Sequence, residues 1–215
     1  MSTASSGVLL CALCALVVGC SQNSPPPPKA AVKDISTTPR ETVKVFDHDG
    51  NLAFRLQTDK GSHKVFDGEE TLLARLKDMP DHLQVEDEKR PLLRFRRQEN
   101  KPKSWVVENM SAAVQLTFSQ QADGGYEIKD GSGRLLYTVR RTESGFDVLD
   151  AKGKTLCRMT MANGRVVATR ADGFKLYEIQ GSKSMTALSA LVMEKFNVTA
   201  RAALFAFLQS LEAPA

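Results

Sequence analysis

The chain has 215 residues, of which 42% are hydrophobic and 25% charged, and its 29 basic and 25 acidic side chains give a net charge of +4. This composition fits one globular domain with a tail and excludes a disordered chain. No stretch reaches the roughly 20 consecutive apolar residues of a membrane-spanning helix. The charge excess is too small to predict a nucleic acid partner.

The N-terminus has the pattern of an export signal. Residues 8–18 form an uncharged apolar run, which is followed by Cys20 in the sequence VVGC, and a run of this length is typical of a signal peptide. The small residues before Cys20 resemble a bacterial lipobox. That resemblance implies that residues 1–19 are removed and that Cys20 becomes a lipidated first residue carrying acyl chains such as palmitate. Ser21 is similar to the residue that directs such proteins to the outer membrane. The alternative is an ordinary secretory signal.

Residues 20–42 are predicted to form a tether between the lipid and a folded domain. They contain five of the nine prolines of the chain, four of them in the run PPPP. Proline-rich chains favour extended polyproline II at about 3.1 Å per residue, so this tether can hold a domain up to roughly 70 Å from the membrane. The alternative reading of the PPPP run is a ligand for a groove-type domain.

The part from Val43 to Gly181 has the pattern of β-hairpins. Short runs of β-branched and aromatic residues alternate with polar ones, and clusters such as DHDG, DGSG and DAKG separate them. This alternation predicts strands, and glycine supplies the positive φ that a tight turn requires. The runs number about twelve to fourteen.

An internal repeat organises these runs. Asp47 and Asp67 are 20 residues apart, Asp130 and Asp150 are also 20 apart, and the two pairs are offset by 83 (130 − 47 and 150 − 67). Sliding the chain by this offset superposes seven identical residues over 43–76. Because the repeated unit is present in only two copies, it predicts two similar halves of one sheet system and not a solenoid or propeller.

The alternation also assigns strand faces. The residues predicted to face a core are Leu52, Phe54, Leu56, Leu135, Tyr137 and Val139, and those predicted to face outward are Arg55, Thr138 and Arg140. If Cys20 is lipidated, Cys157 is the only other cysteine of the mature chain, so no intramolecular disulfide can form. We expect Cys157 to be a buried free thiol, because free cysteine is among the most buried residue types.

The pattern becomes helical after Gly181. Residues 184–213 contain no glycine or proline, and apolar residues recur at helical spacing in Met185–Phe196 and again after Thr199. Asn197 or Thr199 can cap the second segment. That segment is apolar over most of its circumference, which predicts a buried helix. The charges of Glu194, Lys195 and Arg201 exclude a membrane span.

A meander of repeated Asp-x-x-Gly hairpins followed by the apolar helix around Leu204 to Leu211 resembles the tubby-like and LURP-one-related proteins. The resemblance covers Val43 to about Ala213, which is the predicted domain 43–213. It implies a mainly β fold, an antiparallel β-barrel of about twelve strands in two similar halves, with a buried hydrophobic C-terminal helix or helix pair. Members of that group are associated with phosphoinositide binding or membrane tethering. None of their ligand-binding residues is matched here.

The sequence supplies no motif for catalysis or metal binding. His48, His63 and His82 lie in different predicted elements without HxH or HExxH spacing, so solvated turn or strand positions explain them. The DHDG cluster resembles part of a calcium loop, but its glycine is fourth and no glutamate closes the loop, which favours a hairpin turn. There is no GxSxG, P-loop or mature CxxC motif. We therefore expect no enzyme activity, no cofactor and no metal.

One segment has uneven charge. Between Lys89 and Lys103 seven bases stand against one acid, Glu99. The candidate anionic contact surface consists of Lys89, Arg90, Arg94, Arg96, Arg97, Lys101, Lys103 and Trp105. It suits lipid headgroups or an anionic envelope polymer, each contact contributing at most about 1 kcal/mol. The alternative is a solvated strand pair whose charges discourage aggregation, with Trp105 as either a core or a contact residue.

Together these patterns predict a non-catalytic, lipid-anchored protein that serves as a binding or accessory module of the cell envelope. Its expected place is the outer membrane, facing the periplasm or the cell surface. The expected partners are the membrane, through the N-terminal lipid, and an anionic lipid, envelope polymer or envelope protein. The alternative is a structural subunit of a multiprotein envelope complex, and an unrecognised hydrolase is less favoured.

Overall fold

The computed structural model describes residues 41–59, 62–88, 90–182 and 184–212, and among them the side chains of all but Glu41, Pro102 and Glu212. The predictions for the signal peptide, for Cys20 and for the tether up to residue 40 lie outside the described residues. Lys89 of the candidate contact surface lies outside them as well.

Fourteen strands are followed by two short helical segments and one longer helix. The strands are β1 (Glu41–Asp47), β2 (Leu52–Asp59), β3 (Ser62–Asp67), β4 (Leu72–Asp78), β5 (Leu83–Glu86), β6 (Pro91–Gln98), β7 (Lys101–Asn109), β8 (Val114–Gln120), β9 (Tyr126–Asp130), β10 (Leu135–Thr142), β11 (Gly145–Asp150), β12 (Thr155–Ala162), β13 (Arg165–Arg170) and β14 (Lys175–Gln180). The helices are α1 (Met185–Ser189), a 3-10 turn (Ala190–Val192) and α2 (Val198–Glu212). The first described strand begins at Glu41, two residues before the predicted boundary at Val43.

The strands close into one antiparallel barrel. Each strand pairs with its neighbours in sequence, and β1 pairs with β14, where Val45 lies opposite Ile179. Closure leaves no sheet edge for another chain to pair with. The expectation of about twelve strands is wrong, because the barrel has fourteen. Barrel diameter grows with strand number, and this barrel encloses two antiparallel helical segments, which need a wider interior than a single helix.

The offset of 83 residues reappears in the strand bounds. It carries β2 (Leu52–Asp59) onto β10 (Leu135–Thr142) and β3 (Ser62–Asp67) onto β11 (Gly145–Asp150) without a gap. Strands β1 to β6 thus correspond to β9 to β14. Strands β7 and β8 lie between the two sets and have no counterpart at this offset, so the two related sets account for twelve of the fourteen strands.

A shorter repeat underlies the offset. Seven hairpin turns lie at one end of the barrel and begin at residues 47, 67, 87, 109, 130, 150 and 170, so they are 20 to 22 residues apart. The structural unit is therefore one hairpin, present in seven copies. Three of the seven turns do not have the common sequence pattern. Asn109 and Arg170 replace the leading aspartate in two of them, and the turn after Asp87 is shorter. We call this end of the barrel the Asp-turn end.

Side-chain acceptors hold these turns together. Asp130 Oδ1 accepts hydrogen bonds from the backbone N–H groups of Ser132 and Arg134, both at 3.0 Å. Asn109 Oδ1 makes the same two bonds, to Ser111 and Ala113 at 3.0 Å. The fourth position takes positive φ, as at Gly133 with φ 85°, a conformation that glycine adopts without steric cost.

The turn carboxylates make stability depend on pH. Hydrogen bonds lower the pKa of Asp130, chiefly from the Ser132 hydroxyl, and that of Asp150, chiefly from the Lys154 backbone. A carboxyl group with a lowered folded-state pKa contributes stability above its unfolded pKa of about 3.9 and loses it as the pH falls through the folded value. We expect the free energy of unfolding, measured with urea between pH 5 and pH 2, to fall below about pH 4.

Asn109 shows how to test this contribution without breaking the turn. An amide oxygen accepts the same two backbone bonds but does not titrate, so the double variant Asp130→Asn/Asp150→Asn should keep the fold and lose less stability on acidification than the parent chain. An equally steep loss in the double variant would contradict the role of these two carboxylates.

The assigned strand faces are mostly confirmed. Phe54, Leu56, Tyr137 and Val139 are buried inside the barrel, at most 6% exposed. Arg140 is exposed, and Arg55 and Thr138 are partly exposed. Leu52 and Leu135 are only partly buried, so their placement in the core was wrong. The reason is a register shift beside each turn, between Val45 and Phe46 and between Leu135 and Tyr137, which interrupts the alternation at the strand ends.

The barrel interior is filled by the helices. Residues 202–208 of α2 are at most 2% exposed, and Phe207 packs against Phe95, Trp105 and Phe118 with ring centroids 4.4, 5.7 and 6.1 Å away. These contacts confirm the buried C-terminal helix pair. The first segment is helical only to Val192 and not to Phe196 as the spacing suggested.

Two capping residues set the ends of the helical hairpin. Ser184 Oγ accepts a bond from Ala187 N at 3.0 Å and starts α1. Asn197 Oδ1 accepts one from Ala200 N at 2.8 Å and starts α2, so the cap is Asn197 and not Thr199. Residues 193–197 link the two segments, and this linker lies beside the Asp-turn end, where Lys195 contacts Tyr137.

Candidate functional site

A cavity of about 570 Å³ opens at the Asp-turn end, between the barrel wall and the helical hairpin. Its size lies within the roughly 300 to 1,000 Å³ of small-molecule sites. We call it the mouth cavity. The residues around it are Tyr137, Asp150, Ala151, Lys152, Leu156, Cys157, Arg170, Leu176, Tyr177, Leu191, Val192, Glu194, Lys195 and Arg201.

The inner part of the mouth cavity is apolar. Cys157 and Leu191 are fully buried, and Val192 is 7% exposed. Leu156 and Leu176, from β12 and β14, are partly buried and pack against the barrel core. These side chains come from strands and from the 3-10 turn, so their positions are fixed by the barrel and the helical hairpin together.

The outer part of the mouth cavity is charged and mainly basic. Lys152, Arg170, Lys195 and Arg201 line it together with two acids. Arg170 is already paired with Asp172 at 2.6 Å, and this ion pair raises the pKa of Arg170 and lowers that of Asp172.

The two acids differ in what they contact. Asp150 is engaged in its own turn, where its Oδ1 accepts hydrogen bonds from Lys152 N at 2.8 Å and Lys154 N at 3.0 Å. Glu194 is exposed on the linker, and it is the carboxylate of the cavity that is not tied into a turn. Four bases against two acids leave the lining with a net charge of +2.

Tyr137 attaches the linker to the barrel wall. Its hydroxyl oxygen accepts a hydrogen bond from Lys195 N at 3.0 Å, the Lys195 ammonium lies 5.6 Å from its ring centre, and Phe196 packs edge-on at 5.6 Å. Burial raises the pKa of the Tyr137 hydroxyl. The outer wall of the cavity is thereby fixed relative to β10, and the backbone of Lys195 is held in place while its side chain lines the cavity.

Arg201 has unused hydrogen-bonding capacity. Its Nη1 donates to Leu191 O at 2.9 Å, which joins the start of α2 to the end of the 3-10 turn. Its Nε is buried and has no hydrogen-bond partner among the described residues. A guanidinium group carries five N–H donors, so this side chain can serve both the helical hairpin and an anion.

Cys157 lies at the inner end of the mouth cavity as a fully buried free thiol, which confirms the prediction of its burial. Burial raises its pKa to about 12. Because the thiolate is the nucleophilic form, the side chain has little reactivity near neutral pH.

The structure places the candidate contact surface in several different parts of the barrel. Arg90 lies in a turn at the Asp-turn end, whereas Lys101 and Lys103 are exposed near the opposite end. Arg94 and Arg96 share the outer face of β6, and Phe95 faces the core. Arg96, Arg97 and Lys101 nevertheless line one surface pocket, and Arg94 and Arg96 line a second, so these four basic residues lie close together.

Two members of the set already have partners within the barrel. Arg96 Nη2 donates to Glu108 Oε1 at 2.6 Å. Trp105 is 7% exposed and packs edge-on against Phe207 at 5.7 Å, so its inclusion in the contact surface was wrong: it is a core residue. The Arg97 guanidinium lies 5.8 Å from the Trp105 ring centre, on the same side of the sheet.

The three histidines do not come together. His63 Nδ1 is 3.2 Å from Thr58 Oγ1 in a strand pair, and His82 Nδ1 is 2.7 Å from Asp81 Oδ1. The His82 side chain is 13% exposed, so its prediction as a solvated residue was wrong. His48 lies in the first Asp turn, with its ring 5.0 Å from that of Phe174.

The Asp47-His48-Asp49 cluster was predicted to be a hairpin turn, and it is one. Each residue offers one potential metal-ligand atom, and these atoms lie within 4.8 Å of one another. However, Asp47 Oδ1 already accepts backbone bonds from Asp49 at 3.0 Å and Asn51 at 2.9 Å. The turn therefore accounts for this cluster.

No protein-family model, curated protein sequence or solved structure matches the chain. Among the described residues, no helix is long and apolar enough to cross a membrane.

The mouth cavity was missed by sequence reasoning. Tyr137 and Cys157 were assigned only to the core, and Glu194, Lys195 and Arg201 served only to exclude a membrane span. Lys152 belongs to the DAKG turn. The sequence did contain one signal for the cavity, which is the group of charged residues in an otherwise apolar helical hairpin. If the hairpin fills the barrel, these charged residues have to lie where the barrel opens to solvent.

Proposed function

We propose that this chain is a non-catalytic, lipid-anchored protein of the cell envelope whose barrel holds a small ligand in the mouth cavity. The anchor is Cys20, at the end of the predicted signal peptide, and residues after it tether the barrel to the outer membrane. The barrel belongs to a lipid-anchored relative of the tubby-like proteins, in which two added strands and a second helical segment enlarge the fold.

The observation that carries the binding role is the mouth cavity of about 570 Å³. It combines an apolar inner wall with a few charged groups, which is the usual composition of a small-molecule site. A hydrolytic role is less favoured, because burial raises the pKa of the thiol at its inner end to about 12, and because Asp150 and Arg170 of the lining are engaged in a turn and an ion pair.

The anchoring half of the proposal is tested at Cys20. We expect the full chain to incorporate labelled palmitate and to fractionate with outer membranes. The variant Cys20→Ala should lose the label completely, because the acyl chains are carried by the Cys20 sulfur and by the amino group of Cys20 that cleavage exposes. The matched control is Cys14→Ala, which alters a cysteine inside the predicted signal peptide and should keep the label.

Persistence of the palmitate label in Cys20→Ala would contradict the anchor. Chemical cross-linking in intact cells tests the role of the barrel in the same strains. A ligand-binding module is expected to be recovered without a stoichiometric protein partner. Recovery of one envelope protein in a one-to-one ratio would instead support the alternative of a structural subunit in an envelope complex.

A further inference from the structure

The mouth cavity has two chemically distinct halves. Its inner wall is apolar and its outer rim carries an excess of two positive charges. We propose that it binds a single-chain anionic amphiphile. In this assignment, which rests on the proposed binding role, the head group is held by Lys152, Lys195 and Arg201 and the linear alkyl tail lies against Leu156 and Leu176.

The basic side chains are available for a head group. Lys152 and Lys195 form no ion pair with any described carboxylate: Asp150 accepts hydrogen bonds within its own turn, and the Lys195 ammonium lies 5.6 Å from the Tyr137 ring centre. The buried Arg201 Nε has no partner among the described residues. A buried N–H without an acceptor is costly, and an anionic oxygen at the rim would draw the guanidinium into a complete set of bonds.

The bases come from three segments that the fold brings together. Lys152 lies in the turn between β11 and β12, Lys195 lies in the helical linker, and Arg201 lies in the first turn of α2. The Tyr137 hydroxyl fixes the linker through Lys195 N at 3.0 Å, and Arg201 Nη1 fixes the helix start through Leu191 O at 2.9 Å. The Lys195 backbone and the Arg201 guanidinium are therefore positioned before a ligand arrives, which reduces the entropic cost of binding.

The inner wall suits a hydrocarbon tail. Leu156 and Leu176 border the cavity without being fully buried, and Leu191 and Cys157 close its inner end. Each methylene that moves from water into such surroundings tightens binding by roughly three- to fourfold. These four described side chains carry no oxygen or nitrogen atom, so a sugar or a peptide would leave its hydrogen-bonding groups unpaired against them.

The test uses the full chain in nanodiscs of zwitterionic lipid and isothermal titration, with empty nanodiscs subtracted for partitioning. The ligands share one ten-carbon chain and differ in the head: decanoate, decyl phosphate, decanol and decyltrimethylammonium. We expect saturable one-to-one binding of an anionic member and at least about tenfold weaker binding of the neutral and cationic ones. A preference for decanoate points to free fatty acids, and one for decyl phosphate points to lysophospholipid-like heads.

The variant Lys152→Glu/Lys195→Glu tests the rim, and both positions are exposed, so folding is not at risk. It should weaken binding of the anionic ligand by on the order of tenfold or more and improve binding of decyltrimethylammonium. The control is Lys154→Glu, which makes the charge change of one of the two substitutions, in the same turn as Lys152, at an exposed residue outside the cavity lining. It should leave the affinity within about twofold.

Equal affinity for decanol and decanoate, or equal losses in Lys154→Glu and the double variant, would overturn the anionic head group while leaving a ligand-binding barrel in place. Saturable binding of acetate or inorganic phosphate as tight as that of decanoate would overturn the alkyl tail. Absence of saturable binding by all four ten-carbon ligands would overturn the amphiphile assignment. If the same preparation bound a chemically different small molecule saturably, the amphiphile assignment would be wrong but the proposed role of the barrel in binding a small ligand would stand.

Discussion

Replacing Phe207 by alanine is expected to lower the free energy of unfolding by about 3 to 5 kcal/mol, the usual cost of removing a buried aromatic ring. The ring is 1% exposed and lies between Phe95, Trp105 and Phe118. Its loss would leave a cavity between α2 and the barrel wall, because rigid strands on several sides cannot collapse into the space. Urea unfolding followed by the fluorescence of Trp105, the single tryptophan, measures the change.

The matched control for this prediction is Phe174→Ala. Phe174 is 43% exposed in a turn and contacts His48 and Arg170, so its removal should cost about 1 kcal/mol or less. Phe207→Leu should fall between the two, since it keeps most of the apolar volume. Similar losses for Phe207→Ala and Phe174→Ala would contradict the placement of α2 inside the barrel.

A disulfide between the first and last strands is expected to stabilise the chain by about 4 to 5 kcal/mol, because it closes a loop longer than 100 residues in the unfolded state. Lys44 in β1 lies directly opposite Gln180 in β14, and both side chains are exposed. Opposed residues of antiparallel strands have Cα atoms about 4.5 to 5.5 Å apart, which suits a disulfide.

The measurement is urea unfolding of Lys44→Cys/Gln180→Cys in its oxidised and reduced forms. Cys157→Ala supplies a background without the free thiol of the described residues, and alanine is the residue found at Ala74, the position related to Cys157 by the offset of 83. Comparison of the two redox forms of one variant removes the effect of the substitutions themselves. An oxidised form no more stable than the reduced form would contradict the expected gain.

The hairpins were predictable from sequence because their determinants are local. An apolar alternation places Phe54 and Leu56 on one face, and the turn from Asp47 to Asn51 is encoded by its own residues. The count of twelve to fourteen runs included the observed fourteen strands, whereas the figure of about twelve came from the resemblance. The turn between β7 and β8 is one of those that lack the common pattern, because Asn109 and Ala112 replace its aspartate and glycine.

The helical hairpin was predictable in outline for a different reason. A segment that is apolar on all sides, such as Ala202 to Leu208, has to be buried, and its cap at Asn197 is local. The early end of the first helix at Val192 was not predictable, because it follows from tertiary contacts. The linker is held by a hydrogen bond from Lys195 N to the Tyr137 hydroxyl, 58 residues away in sequence. This bond takes the place of the hydrogen bond that Lys195 N would make if the helix continued.

The mouth cavity could not be derived from the sequence because its parts are far apart along the chain. Lys152 comes from a barrel turn, Lys195 from the helical linker and Leu176 from the last strand, and only closure of the barrel brings them together. The place of Trp105 in the candidate contact surface was wrong for the converse reason. The residues of that surface are consecutive, but a strand sends Arg96 outward and the next strand sends Trp105 into the core.

Barrel closure around the helical hairpin is the central claim, and oxidation of the paired cysteines tests it most directly. We predict that Lys44→Cys/Gln180→Cys forms its disulfide as readily as Thr160→Cys/Val167→Cys, a facing pair in the hairpin of β12 and β13. Lys44→Cys/Thr160→Cys, which lies three strand spacings apart in the barrel order, should stay reduced. Peptide mapping identifies the bonded residues. Oxidation of the hairpin pair while the Lys44 and Gln180 positions remain reduced would show that β1 and β14 are apart, and would contradict the closed barrel.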